Sequence, residues 1–124
     1  ASKFALEALT ETLHYEIGHF GIRVVLIEPG YTAPGMKPIP AFEFDEAYDG
    51  LVAQWEGADG KVTGSGGRPP ASSVAVAIAN ALTNPETPLR VPVGSDAELI
   101  LPLRSQLDDA SFEATMRATL GLTW

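Results

Sequence analysis

The feature that most constrains this chain is a near-continuous apolar run, Ile22, Val24, Val25, Leu26 and Ile27, closed abruptly by Pro29-Gly30. A strand with little alternation is one covered on both faces, as in parallel sheets. Proline cannot donate to a ladder, so the strand has to stop there. Just upstream, Leu6, Leu9, Leu13, Ile17 and Phe20 recur at spacings of three and four, which predicts a helix from Ser2 to Phe20 with one apolar stripe. Phe4, Ala8 and Tyr15 lie off that stripe, while Glu7, Glu11 and His14 mark the solvent side. A helix apolar on more than one face is expected to be buried from two directions, one its own domain and the other a partner subunit. Gly21 is the expected stop. Helix, glycine turn and buried strand are pieces of an α/β sheet. The one further strand expected is Leu89 to Val93. Two strands cannot form a sheet covered on both sides, so the chain reads as part of a domain.

Between the strands, Pro34, Gly35, Pro38 and Pro40 break regular structure, and Phe42 to Trp55 has room for one short helix. Gly57, Gly60, Gly64, Gly66, Gly67, Pro69 and Pro70 predict a flexible stretch. A connection this long is expected to be a binding loop or lid. Ala71 to Leu82 predicts a second helix, with Ser72 or Ser73 as its cap. Ala97 to Leu103 fits a turn or short helix, and Asp109 to Leu120 a terminal helix.

Composition removes several function classes. Sixteen acidic side chains stand against eight basic ones, with no basic cluster to hold a phosphate backbone, so nucleic acid is not an expected partner. The absence of cysteine excludes a disulfide scaffold, a thiolate metal site and a cysteine nucleophile. No apolar run comes near a bilayer span and no signal-peptide order opens the chain, so the expectation is a cytoplasmic protein without a membrane partner. Glu43, Asp45, Glu46 and Asp49 would be splayed by helical spacing and carry no calcium-loop glycine pattern, and they read as a solvated acidic face. His14 and His19 stand about 140° apart on a helix and make poor joint ligands. No metal site is expected. Gly64-Ser65-Gly66-Gly67 lacks the preceding strand and the following Lys-Ser/Thr of a phosphate loop, and reads as a hinge.

The opening Ala1-Ser2-Lys3-Phe4-Ala5-Leu6, the helix, Ile22-Arg23-Val24 and then Glu28-Pro29-Gly30 together resemble the short-chain dehydrogenase/reductase family. Pro88-Leu89-Arg90-Val91-Pro92-Val93-Gly94-Ser95-Asp96-Ala97 is similar to that family's last strand. The resemblance covers the chain in family order. It implies the C-terminal portion of a Rossmann-like three-layer α/β/α fold with a mostly parallel sheet, incomplete in this chain. Residues 1–30 would carry the catalytic-lysine helix and following strand, 31–70 the substrate lid, and 71–124 a helix, the last strand and the C-terminal helix.

The resemblance also implies a chemistry, hydride transfer between NAD or NADP and a carbonyl or alcohol carbon. Lys3 takes the place of the lysine in the family's Tyr-x-x-x-Lys pair, whose tyrosine would lie two positions before Ala1. A phenol ionises near pH ~10, and an ammonium one helical turn away favours its phenolate. The same ammonium would hold the nicotinamide ribose. Pro29, Gly30 and Thr32 would form the turn at the nicotinamide, with Pro34 standing where many members have threonine. Tyr31, Met36, Phe42, Phe44, Tyr48 and Trp55 would line the substrate side of the lid. The parent would be a dimer or tetramer paired partly through the first helix, and the 124 residues alone are expected to be inactive. The alternative is a non-catalytic binding or oligomerisation module derived from such an enzyme.

Overall fold

The computed structural model describes residues 1–33, 45–63 and 66–123. Helix α1 spans Ser2–Ile17, and a 3-10 turn, Gly18–Phe20, continues it. The whole stops at Gly21, whose φ of 74° is the left-handed conformation that glycine adopts without steric cost. Strand β1 follows at Leu26–Pro29, then helices α2 (Asp49–Glu56), α3 (Asp59–Thr63) and α4 (Ala71–Thr83). Strand β2 (Arg90–Val93) and helices α5 (Ser95–Gln106) and α6 (Asp109–Leu120) complete the order.

β1 and β2 pair in parallel, with Leu26 opposite Arg90 and Pro29 opposite Val93. Parallel neighbours need a long crossover, which here runs through α4. The strand is shorter than its apolar run: residues 22–25 precede β1, because the partner segment offers only Arg90–Val93 and the Leu26 amide already reaches back to the Leu89 carbonyl at 2.6 Å. Alternation sends Leu26 and Glu28 to one side of β1 and Ile27 to the other. Val25 and Ile27 share a hollow with Ile78, Ala81 and Leu82 of α4. Arg23 fastens the same helix by donating to the carbonyls of Ala81 (3.0 Å), Leu82 (3.4 Å) and Asn84 (3.0 Å). These are the orphan acceptors at the negative end of α4, where a cation is favoured.

A second cluster joins α3, α5 and α6. Ala58, Val62 and Leu120 are buried, with Ile100, Met116 and Leu122 packed against them. Lys61 donates its ammonium to the Leu120 carbonyl at 2.8 Å, and the chain turns at Gly121 with φ 69°. The Leu122 amide returns to the Arg117 carbonyl at 2.9 Å, the six-to-one bond of a Schellman stop. A short helix therefore stands at 59–63, inside the stretch that glycine content marks as flexible, because Val62 has an apolar partner to bury against. α4 is capped by Pro70 without a side-chain bond, so neither Ser72 nor Ser73 performs the capping expected of it. Pro70 belongs instead to a bridge with Ala33, whose amide donates to the Pro69 carbonyl at 2.8 Å.

α1 behaves differently from the other long helices. None of its residues is buried, and Phe4 is 79% and Leu9 66% exposed. The described residues cover α1 only in part, and on an unexpected side: Glu7 and His14, expected in solvent, are half-buried, while Leu6, Leu9, Leu13 and Phe20 of the apolar stripe are exposed.

α6 yields a prediction about acid. The Asp108 carboxylate accepts from the Ser111 amide at 2.8 Å, and this bond, with that of the Ser111 side chain, holds its pKa below the ordinary value. A depressed carboxylate contributes stability above its unfolded-state pKa and loses it as pH falls through the folded one. Asp108→Ala should therefore cost helicity in α6 at pH 7. Its difference from the parent should shrink as pH falls through the depressed Asp108 pKa and the carboxylate is protonated. Circular dichroism across a pH series measures both.

Candidate functional site

The C-terminal ends of β1 and β2 lie side by side, and the two turns that leave them are fitted together. After β1 the chain runs Pro29-Gly30-Tyr31; after β2 it runs Gly94-Ser95-Asp96 into α5. The Gly30 amide donates to the Val93 carbonyl at 3.0 Å, extending the ladder by one bond. The Tyr31 amide then donates to Asp96 Oδ2 at 2.6 Å. Asp96 is 3% exposed, and its Oδ1 meets no hydrogen-bond partner among the described residues. The first turn of a helix favours such a carboxylate, because free amides and the positive end of the dipole gather there. Gly30 has to be glycine for a local reason: a Cβ there would collide with the Asp96 carboxyl group. Gly94 takes φ 109°, and a Cβ on it would come within 2.9 Å of Asp96 Oδ1.

Beside these turns lies a cleft of about 470 Å³, lined by Lys3, Leu6 and Glu7 of α1, residues 26–30 around β1, and Asp96, Ala97, Ile100 and Leu101 at the start of α5. Its volume falls in the range of small-molecule sites, with apolar walls and few polar groups. Lys3 is exposed and lies on the same helical face as Glu7, one turn further on. Lys3, Pro29 and Gly30, far apart in sequence, therefore share one cleft. Thr32 is half-buried and does not line it. Tyr31 is exposed, and the Arg68 guanidinium lies 5.4 Å from its ring centroid. Tyr48 closes the 3-10 turn Glu46–Tyr48 and Trp55 sits in the last turn of α2; both are exposed and outside the cleft. Met36, Phe42 and Phe44 lie outside the described residues.

Sequence reasoning assigned no role to Asp96 or to the charge network beneath the cleft. Arg90 Nη1 reaches Glu28 Oε1 at 2.7 Å and Glu7 Oε2 at 3.2 Å, while Nη2 reaches Glu11 Oε2 at 3.4 Å. Burial acts to lower the Arg90 pKa, but the bond to Glu28 and the attraction of Glu28, Glu7 and Glu11 outweigh it and hold the guanidinium above its ordinary value. A signal was present in the sequence, since Glu7 and Glu11 share a helical face and Arg90 opens an otherwise apolar strand. Nothing in the spacing alone said that these meet. Among the described residues, no group of three or more histidine or acidic side chains could hold a metal ion, and no helix is long and apolar enough to cross a membrane.

The fit between Gly30 and Asp96 is testable by a double-mutant cycle. Gly30→Ala should destabilise the chain by about 1–3 kcal/mol, the usual cost of overpacking. Combining it with Asp96→Ala should recover part of that loss, giving a coupling of at least about 0.5 kcal/mol in urea titrations. Strict additivity would mean that the two residues do not touch.

No family model matches the chain. Two uncharacterized oxidoreductases of Schizosaccharomyces pombe are each 31% identical to it over 130 aligned positions, covering 98% of this chain and 51% of the relative. Human 17-beta-hydroxysteroid dehydrogenase type 6 is 46% identical over 35 residues, covering 28% of this chain and 11% of that protein. Human retinol dehydrogenase 5 is 53% identical over 30 residues, covering 24% of this chain and 9% of that protein. The chain thus spans about half the length of the yeast relatives it matches, and the proteins it is similar to are named as oxidoreductases and dehydrogenases.

Proposed function

We propose that this chain is part of an oxidoreductase of the short-chain dehydrogenase/reductase type, using NAD or NADP on a carbonyl or alcohol substrate. The observation that carries the reading is the shared cleft: Lys3 and the Pro29-Gly30 turn meet there although β1, a glycine stop and a full helix separate them. The similarity to proteins named as oxidoreductases supports it. The residues present fit the nicotinamide-ribose end of such a cofactor. Lys3 would meet the ribose hydroxyls and the apolar walls the ring, while Glu7, Glu28 and Asp96 line the same cleft and the Asp96 carboxyl group fills the side-chain-free face of Gly30. The nicotinamide, when bound, supplies the hydride acceptor or donor.

The remaining roles belong to the protein. Lys3 holds the ribose hydroxyls and, as an ammonium, favours ionisation of a phenol placed one helical turn before it. Pro29 ends the strand at the cleft, Gly30 is the cofactor-side turn in this reading while it admits the Asp96 carboxyl group, and Thr32, outside the cleft lining, is assigned the carboxamide by the resemblance alone. Tyr31, Met36, Phe44, Tyr48 and Trp55, on the segment from 31 to 70, form the substrate side in this reading. The buried Asp96 carboxylate keeps the turn in place through the Tyr31 amide.

The exposed face of α1 favours a second reading. Phe4, Leu9 and Tyr15 stand largely in solvent, as they would on a module that associates with its own copy or with another chain without catalysing anything. Light scattering coupled to size exclusion separates association from a monomer, and the two readings part on activity. Lys3→Met in the complete natural protein should lower kcat/KM by at least about 100-fold in a nicotinamide-dependent carbonyl reductase assay, the usual scale for loss of acid-base assistance. The 124 residues alone should give no turnover. Activity indifferent to Lys3→Met would contradict the enzymatic reading.

A further inference from the structure

We propose that Arg90 is a positioning residue that sets the helix carrying Lys3 against the strand end carrying Pro29 and Gly30. The inference rests on the reading of that cleft as the cofactor site.

Among the described residues no α1 residue is fully buried, so apolar packing holds the helix only in part, through side chains such as Leu6 and Ile17. Among the described residues, the ion pairs between α1 and the sheet all run through the Arg90 guanidinium. Arg90 stands opposite Leu26 in the strand register, so its side chain leaves the sheet on the face shared by Leu26 and Glu28. From there it binds Glu28, the residue just before Pro29, and Glu7, one helical turn after Lys3, through the same Nη1, while its Nη2 takes Glu11 one turn further along. The planar fork of arginine suits this task, because its donors leave in fixed directions and can serve several carboxylates at once. Glu7 and Glu28 both line the cleft together with Lys3, Pro29 and Gly30.

The sign of the effect follows from the charges. The protein is acidic, at net −8, and here three carboxylates converge on one cation. Without Arg90, Glu7 and Glu11 on α1 would face Glu28 on β1 with nothing between them, and attraction between helix and strand would become repulsion. Lys3 would move with its helix. A displacement of about 1 Å at a catalytic centre costs on the order of 100-fold in rate.

The test uses the complete natural protein in three variants beside Lys3→Met: Arg90→Met, Arg90→Lys, and Glu7→Gln combined with Glu11→Gln, which leaves β2 untouched. Amide hydrogen exchange is compared between Ser2–Ile17 and Asp109–Leu120, and kcat and KM are measured for the nicotinamide cofactor. Arg90→Met and the double glutamine variant should speed exchange in α1 at least tenfold with α6 unchanged, and should lower kcat by about 10- to 100-fold. Arg90→Lys, which keeps a cation among the carboxylates but not the fork, should restore part of both. Unchanged α1 exchange, equal acceleration in α1 and α6, or a loss that Arg90→Lys fails to recover would each overturn the proposal. If Lys3→Met is inactive while Arg90→Met keeps wild-type kcat, only the clamp fails. If Lys3→Met is fully active, the reading of the cleft fails and the clamp with it.

Discussion

The parallel pairing of β1 with β2 is the constraint from which the described geometry follows. Parallel strands end at the same edge of a sheet, so the turn after each has to leave in the same neighbourhood. That places Pro29-Gly30-Tyr31 against Gly94-Ser95-Asp96 and lets one carboxylate, on the first turn of α5, take the amide of the opposite turn. The fit is close enough that both glycines are needed to admit Asp96. An antiparallel register would send the two turns to opposite ends and leave Asp96 buried with no amide to accept.

Around this pair the chain is fastened by side chains reaching helix ends more than by a large core. Arg23 meets the last carbonyls of α4, Lys61 that of α6, and Asp108 the first amides of α6. Among the described residues no large side chain is fully buried, and the buried apolar groups include Ala58, Ala81 and Ala97. With so little hydrophobic burial, the orientation of an element depends on such polar contacts. α1 is the extreme case, presenting aromatic and aliphatic groups to solvent while its charged face is gathered by Arg90.

Periodicity revealed the elements and missed what joins them. Leucines at threes and fours located α1, and Gly21 located its stop, because both are local signals that need no partner. The strand came out shorter than its apolar run, since its length is set by the four residues β2 can offer, and that pairing is not written in residues 22–28. α3 escaped notice because three glycines flank or enter it and its stability comes from Leu120, distant in sequence. The site divides the same way. Lys3, Pro29 and Gly30 could be named from a resemblance, whereas the contacts of Asp96 with Tyr31 and of Arg90 with Glu7, Glu11 and Glu28 are long-range and become visible only once the register brings strand ends and helix together.

The central claim is that the cleft at Lys3 receives a nicotinamide dinucleotide, and differential acylation of lysines tests it most directly. In the complete natural protein, Lys3 and Lys61 are labelled by a trace acylating reagent with and without saturating NAD(H) or NADP(H). Lys61 is committed to the Leu120 carbonyl on the far cluster and serves as the internal reference. The account predicts that one of the dinucleotides slows labelling of Lys3 several-fold while Lys61 is unaffected. Equal rates at Lys3 with and without either dinucleotide would contradict it.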